Sequence, residues 1–487
     1  MKTGEMTMGK GNRTVKYRPM GSRIVVFGLA AAVSGGLVVP ASVRAQGATP
    51  ITVAEIDSLV LATMKSTGMV GLNVGVMKNG KIVLVKGYGF ASLESKTPVT
   101  PATMFPIGSV TKQFTCSAAM LLAQDQKLSM RDPVSKYFPA LTRANEITLL
   151  DLGQHVAGYR DYYPLDYVDR EMQRDVTASD IMQEYATRPL DFDPGTRWSY
   201  SNTNFTVLGA VAEKVSGMSL GQLMQQRIFG PVGMTHTSFD PPTNGAAKAT
   251  GYASWALGEP QPSQPEGKGW TGAAGAIWST PSDLLAWDLA LVTGKVLNAA
   301  SYKMLTTPRH LKDGRSTGYG CGEDVNEQGP AIVLSHGGAV SGNVTQNTVI
   351  PASRSAVVLL ANKEIGLGAL ANAIVTRLLP VADVPKITGL TAIDAITAYL
   401  KQLAAGHVDR STLSDDFNAH LTPSREKAAA ESLTKLGPVT DVRVIRTVER
   451  GGMEVAILRL KVGTISVGGT MYRAPNGKIE QVLIERQ

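Results

Sequence analysis

Ser109-Val110-Thr111-Lys112 sets a hydroxyl and an amine three residues apart. On a helix that spacing puts both side chains on one face. The breakers Phe105-Pro106-Ile107-Gly108 come before it. A run free of Gly and Pro follows, with Phe114, Cys116, Ala119, Met120, Leu121 and Leu122, so a mostly buried helix with Ser109 at its N-terminus is expected. A serine there lies beside backbone N–H groups and the positive end of the helix dipole, which stabilise an oxyanion formed by attack on a carbonyl. The hydroxyl first needs a base, and lysine is one only when neutral. Its pKa must fall by roughly three units from about 10.4, a differential cost of about 4 kcal/mol, which burial and the helix N-terminus both favour. By itself the spacing is weak evidence. Ser424/Lys427 and Ser432/Lys435 repeat it in what reads as a surface helix, where the serine caps and the lysine is solvated.

Two later stretches hold groups that would complete such a site. In Tyr200-Ser201-Asn202, a phenol hydrogen-bonded to the lysine could share the role of base and return the proton to a leaving group, while the asparagine could orient the lysine and a substrate carbonyl. Equally, an isolated tyrosine here simply packs on the next helix. Ser335-His336-Gly337-Gly338-Ala339 reads as the end of a strand, where the glycines let a ligand approach the backbone and the Ala339 amide offers a second oxyanion donor. Those residues also suit a plain turn with His336 in the core. The rival Gly217-Met218-Ser219-Leu220-Gly221 has the form of a nucleophile elbow, which needs a strand before its serine. Leu208 to Val215 is helical in pattern and Ser219 with Gln222 forms a capping box, so this motif reads as structural. No metal-ligand cluster, Walker loop or dinucleotide glycine pattern is found in the sequence, and no metal or other cofactor is implied.

The elements that must position these groups begin at Thr52-Val53-Ala54-Glu55, a capping box ahead of Ile56, Leu59, Val60 and Met64 at helical spacing. Leu72, Val74 and Val76 alternate, Asn79-Gly80 turns, and Ile82 to Val85 reads as a covered central strand. Helical patterns dominate from Ser109 to about Trp270, with loops at Arg143 to Ile147, Tyr159 to Asp169 and Asp191 to Arg197. Strands return at Ala331 to Ser335 and Ser355 to Leu360, before a helix near Leu367 to Leu379. This order implies an antiparallel sheet flanked by terminal helices and interrupted by a helical lobe, with a cleft between them. Gly258 to Gly269, rich in Pro, Gln and Gly, reads as a surface connector. The pattern changes at Pro380 to Pro385. Beyond it come two helices, at Ile393 to Leu403 and from Thr422-Pro423, and four strands, at Val442 to Val448, Val455 to Val462, Thr464 to Tyr472 and Ile479 to Ile484. That order resembles small nuclear-transport-factor-like or cystatin-like α+β domains.

At 487 residues two domains are expected, and 43% hydrophobic with 18% charged residues is a globular composition. The net charge of +8 is mostly local: residues 1 to 45 hold seven basic residues against Glu5, which leaves +2 elsewhere and argues for no nucleic-acid partner. The same segment has a basic start to Arg23, an apolar run from Ile24 to Val39 and Val43-Arg44-Ala45 at a cleavage site. It reads as a signal peptide, with a mature chain from about Gln46, a periplasmic or secreted location and no membrane span after cleavage. Cys116 and Cys321 are the only cysteines; with Cys116 in mid-helix among apolar neighbours, buried free thiols are expected.

Taken in order, Ser109-x-x-Lys112, Tyr200-x-Asn202 and His336-Gly337-Gly338 resemble the three motifs of the class C β-lactamase and penicillin-binding-protein superfamily of serine hydrolases. Lys86-Gly87-Tyr88-Gly89, Pro98-Val99-Thr100-Pro101, Ile107 to Phe114 and Gly230-Pro231-Val232-Gly233-Met234 carry the likeness over roughly residues 50 to 380. The resemblance implies an α/β (α+β) fold, with a β-lactamase/transpeptidase-like antiparallel sheet flanked by helices, an inserted helical lobe and a small C-terminal α+β domain. The corresponding organisation is a signal peptide at 1–45, a hydrolase domain at 46–385 and an α+β domain of unknown role at 386–487. It also implies Ser109 as acylated nucleophile, Lys112 and Tyr200 moving the proton, Asn202 orienting, and the Ser109 and Ala339 amides as oxyanion hole. His336, followed by Gly337 and Gly338, stands where many members have a lysine. A histidine is mostly uncharged near neutral pH, which points away from β-lactam carboxylates and towards esters, amides or D-amino-acid peptides. Gln154-His155-Val156-Ala157-Gly158 is a loose form of the family's His-Thr-Ser-Gly, and Tyr159, Tyr162, Tyr163 and Tyr167 after it either line the cleft or pack in the loop. The expected partner is a small-molecule or peptide substrate. The alternatives are a β-lactamase or D-Ala-D-Ala carboxypeptidase, and a catalytically silent binding protein.

Overall fold

The computed structural model describes residues 51–165, 167–243, 247–256, 258–328, 331–379 and 386–486. The expected signal peptide and the Pro380 to Pro385 boundary lie outside them. Helix α1 (Val53–Thr67) starts at the Thr52/Glu55 capping box and ends on Gly68 in the left-handed region. A seven-stranded antiparallel sheet follows, of β1 (Gly71–Lys78), β2 (Lys81–Ser92), β3 (Thr97–Pro98), β4 (Asp324–Gln328), β5 (Ala331–Val340), β6 (Asn343–Ile350) and β7 (Ser355–Ala361), in the order β3-β2-β1-β7-β6-β5-β4. Between β3 and β4 the chain builds the helical lobe, whose main helices are α2 (Thr111–Gln124), α3 (Asn202–Ser216) and α4 (Pro281–Val292); α5 (Gly368–Leu378) follows β7.

Alternation in β7 explains the layering. Val358 and Leu360 join the apolar core shared with the lobe, while Val357, Leu359 and Ala361 join the core beneath α1 and α5. The sheet is therefore covered on both faces. The covered strands are β1 and β7 rather than the expected Ile82 to Val85: Ile82 and Val83 of β2 are 52% and 42% exposed, whereas every β7 residue and every β1 residue but the last is buried. The polar and small residues of β1 hid this. Asn73 Nδ2 donates to the Thr100 and Thr103 carbonyls, and a Cβ on Gly75 would come within 3.0 Å of Pro281 and Leu285 of α4.

Twelve of the fourteen residues of α2 are buried, so the helix is sheathed on all sides, as the near-absence of charge in it implies. Phe114 stacks on Trp287 with ring centroids 4.3 Å apart, and Trp287 Nε1 donates to Gln113 Oε1 at 2.6 Å. Burying side chains of this size stabilises by about 1.5–3 kcal/mol each. The expectation of free thiols is overturned: Cys116 and Cys321 form a disulfide across 205 residues, with Cα atoms 5.9 Å apart. Mid-helix placement does not keep Cys116 free, because the segment carrying Cys321 packs directly against it and Gly153 leaves room for both sulfurs.

The C-terminal residues have their own core. Helices α6 (Ala392–Ala404) and α7 (Pro423–Leu436) pack on a four-stranded antiparallel meander of β8 (Val439–Arg450), β9 (Met453–Val462), β10 (Ile465–Arg473) and β11 (Ile479–Arg486). Ile396, Tyr399 and Leu400 meet Leu458, Leu460 and Met471 there. No helix among the described residues is long and apolar enough to cross a membrane.

Candidate active site

Ser109 sits in a tight turn, Gly108–Val110, that runs into α2. Gly108 takes φ +52°, and a Cβ on it would lie 2.7 Å from the Ala339 amide nitrogen; one on Gly338 would lie 2.0 Å from the Ile107 carbonyl and 3.1 Å from the Ser109 nitrogen. The two glycines thus let β5 press its backbone against the serine turn, bringing the Ser109 and Ala339 amides to one spot. His336 to Ala339 are paired with β6 from His336↔Asn347 to Ala339↔Val344 and close β5, which runs past the expected Ser335 to Val340.

Lys112 is completely buried, whereas Ser109 stays partly open to solvent. Its Nζ lies 2.9 Å from Ser109 Oγ, 2.7 Å from Asn202 Oδ1 and 2.9 Å from the Ala274 carbonyl oxygen. The last two atoms only accept. A neutral amine gives its two protons to them, and its lone pair then faces the Ser109 hydroxyl. Burial pulls the Lys112 pKa from 10.5 down to about 7, opposed by the nearby Asp161 carboxylate.

Tyr200 Oη donates to Ser109 Oγ at 2.7 Å, and the Lys112 amine lies 4.8 Å from the centre of the same ring. The phenol therefore meets the serine directly, where a bond to the lysine was expected. Burial raises the Tyr200 pKa far above 10, so it is a proton donor at neutral pH. His336 accepts from Tyr319 Oη at Nε2 (2.8 Å) and directs Nδ1 at the Gly337 carbonyl, which fixes a neutral tautomer. Burial and the Lys112 charge push its pKa down to about 3, and this position offers no cation to a substrate carboxylate.

Three contributors had no role read from the sequence. Asp161 accepts from the Asn202 backbone and side chain, and Ala274 supplies a carbonyl to Lys112. His155, buried and at φ +58°, accepts from the Ser201 amide at Nδ1 (3.1 Å) and lies 4.3 Å from the Tyr200 ring. Only its place in the loose His-Thr-Ser-Gly form marked it. The tyrosines that follow pack in the loop: Tyr159 Oη donates to the Thr142 carbonyl and Tyr162 Oη to that of Trp270, while Tyr167 is 65% exposed. Gly258 to Gly269 is more than a connector, because Glu266 accepts from Tyr163 Oη and from Ser341 Oγ, tying two loops at the rim. Ser219 caps its helix through Gln222, as read from sequence.

The Beta-lactamase family model matches residues 56–379. A D-aminopeptidase of Gluconobacter oxydans is 30% identical over 300 residues, covering 59% of this chain and 55% of its own, so the chain spans little more than half the length of that relative. The crystal structure of a penicillin-binding protein from Bacillus halodurans superposes with a TM-score of 0.58 at 27% identity, over 66% of this chain and 98% of its own. An octameric penicillin-binding protein homologue from Pyrococcus abyssi, at 19% identity and a TM-score of 0.58, shares the fold over 90% of this chain and 96% of its own, which extends beyond residues 56–379.

Proposed function

The chain belongs to the β-lactamase family, within the class C β-lactamase and penicillin-binding-protein-like serine hydrolase superfamily, and from that premise we propose that it is an exported serine hydrolase cleaving an ester or amide bond through an acyl-enzyme on Ser109. The observation that carries this reading is the meeting at Ser109 Oγ of a buried amine at 2.9 Å and a phenol at 2.7 Å. In it, Lys112 takes the Ser109 proton as Oγ bonds to the substrate carbonyl carbon, and the amides of Ser109 and Ala339 receive the oxyanion. Collapse of that intermediate expels an alcohol or amine, which takes a proton from Tyr200, and the Lys112 ammonium beside the same ring gives the phenolate the proton it took from Ser109. Water, deprotonated by Lys112, then attacks the acyl carbon; the bond to Ser109 Oγ breaks, Oγ takes the proton back from Lys112, and the acid is released.

Likeness to a D-aminopeptidase supports amides of D-amino acids as the first substrates to try. The neutral His336 supports substrates without a carboxylate at that position. Export is supported by the leader-like residues 1 to 45 and is tested by mass measurement of the mature N-terminus, expected near Gln46. Activity is tested by incubating the purified chain with a fluorophosphonate probe and with a fluorescent penicillin. Labelling by the first, abolished in Ser109→Ala, supports the reading; labelling by both makes the chain a penicillin-recognising enzyme, and labelling by neither makes it a binding protein.

A further inference from the structure

Asp161 comes from the loop that crosses the start of α3, 41 residues from its partner in sequence. Its Oδ1 accepts from the Asn202 backbone N–H at 2.9 Å, from Asn202 Nδ2 at 3.1 Å and from the Tyr163 N–H at 3.2 Å. Ser201, at the capping position of α3, makes no side-chain capping bond, so this carboxylate from a distant loop serves the positive end of a 15-residue helix. Asn202 has two unlike ends. Its Nδ2 can only donate and meets the carboxylate; its Oδ1 can only accept and meets Lys112 Nζ at 2.7 Å. An ionised carboxylate has no proton to give, so it dictates which way the amide faces.

We infer that Asp161 is a positioning residue of this site: it locks the Asn202 amide so that Oδ1 faces Lys112, and its negative charge steadies the ammonium that Lys112 becomes on taking the Ser109 proton. This rests on the reading of Ser109 and Lys112 as nucleophile and base. In that step the Oγ–H bond breaks and an N–H bond forms on Nζ, while Oγ bonds to carbon and the carbonyl π pair moves onto oxygen. A neutral amine thus becomes a cation as an oxyanion appears, and Asp161 keeps its charge.

The groups around the amine leave the role to Asp161. Tyr200 is held as a neutral phenol, and burial keeps the His155 and His336 imidazoles neutral. Glu266 acts on Tyr162, Tyr185 feels the Asp161 charge itself, and Asp324 acts on Tyr200 and Tyr319. Asp161 is the charge that raises the Lys112 pKa against the pull of burial. Burial in turn raises the Asp161 pKa, opposed by the Asn202 and Tyr163 N–H groups.

The test is the rate of fluorophosphonate labelling at Ser109 against pH, in the full chain and in Asp161→Asn, with unfolding midpoints recorded for both. Loss of the charge should move the acid limb down by about half to one pH unit and lower the plateau about 10- to 100-fold. Asp161→Glu keeps the charge and should hold the limb within about 0.3 of the parent while the plateau falls about 3- to 10-fold. An unshifted limb in folded Asp161→Asn overturns the inference, because a merely structural residue would lower the plateau alone. If Asp161→Asn does not fold, a downward shift of half a unit or more in Asp161→Glu overturns it. A parent chain that takes no label sinks the nucleophile reading and this inference together; a labelled parent with an unshifted variant sinks this inference only.

Discussion

The phenol of Tyr200 points its hydroxyl at Ser109 Oγ, the atom that would attack the substrate carbonyl, from 2.7 Å. Because burial keeps the phenol protonated, it is placed to hand a proton to a departing group. Tyr200→Phe should therefore lower kcat by about 10²- to 10⁴-fold on an amide, whose amine must be protonated to leave. On an activated ester with a stable phenolate leaving group the loss should be far smaller. The ratio of the two losses, measured on one D-amino acid as p-nitroanilide and as p-nitrophenyl ester, is the check; equal losses would remove Tyr200 from the proton path.

The buried amine sets the pH response. Lys112 is a base only when deprotonated and its pKa lies at about 7, so acylation should be half-maximal near pH 7, rise above it and be lost as pH falls. Pre-steady-state labelling from pH 5 to 9 tests this. A rate still climbing steeply at pH 9 would mean that the amine keeps its ordinary affinity for protons.

Away from the site, Asp288 accepts from Asn347 Nδ2 at 2.9 Å through Oδ1, while its Oδ2 has no partner, and burial raises its pKa to about 8. The unfolded chain ionises this group near pH 4 and the folded chain only near 8. Between those values the unfolded state binds fewer protons, so stability falls as pH rises and levels off above 8. Glu323, raised by burial and by Asp288 itself, adds to the trend. Asp288→Asn keeps the acceptor and should flatten the fall by up to a few kcal/mol, read from urea midpoints at pH 5 and pH 8. A variant with the parent's slope would show that Asp288 is ionised in the fold.

The link between Cys116 and Cys321 closes a loop of about two hundred residues around the lobe. Its removal in Cys116→Ser/Cys321→Ser should lower stability by about 2–5 kcal/mol, and a reducing agent should shift the parent's urea midpoint but not the variant's. A parent insensitive to reductant would show that the thiols are free in solution.

What could be read from the chain beforehand depended on distance. The caps at Thr52/Glu55 and Ser219/Gln222 were legible because both partners lie within one turn. Ser109 and Lys112 were visible for the same reason, and Tyr200, Asn202 and His336 through their likeness to family motifs. Strand β6 was not foreseen, since Thr345, Gln346, Asn347 and Thr348 break any apolar alternation and only its neighbours β5 and β7 make it a strand. Asp161, Ala274 and the pairing of the two cysteines rest on contacts between residues 41 to 205 positions apart, and nothing near them in sequence signals the partner.

Leu72 of β1 lies opposite Ala361 of β7 at the centre of the sheet. A ribosome adding about 5–20 residues per second therefore takes roughly 15–60 s to supply the second strand after the first has emerged. During that interval β1 has β2 on one side and an unclaimed row of amides and carbonyls on the other, an invitation to a neighbouring nascent chain. Asn73 and Gly75, both weak strand formers, make the waiting strand a poorer template for that wrong partner until its own arrives.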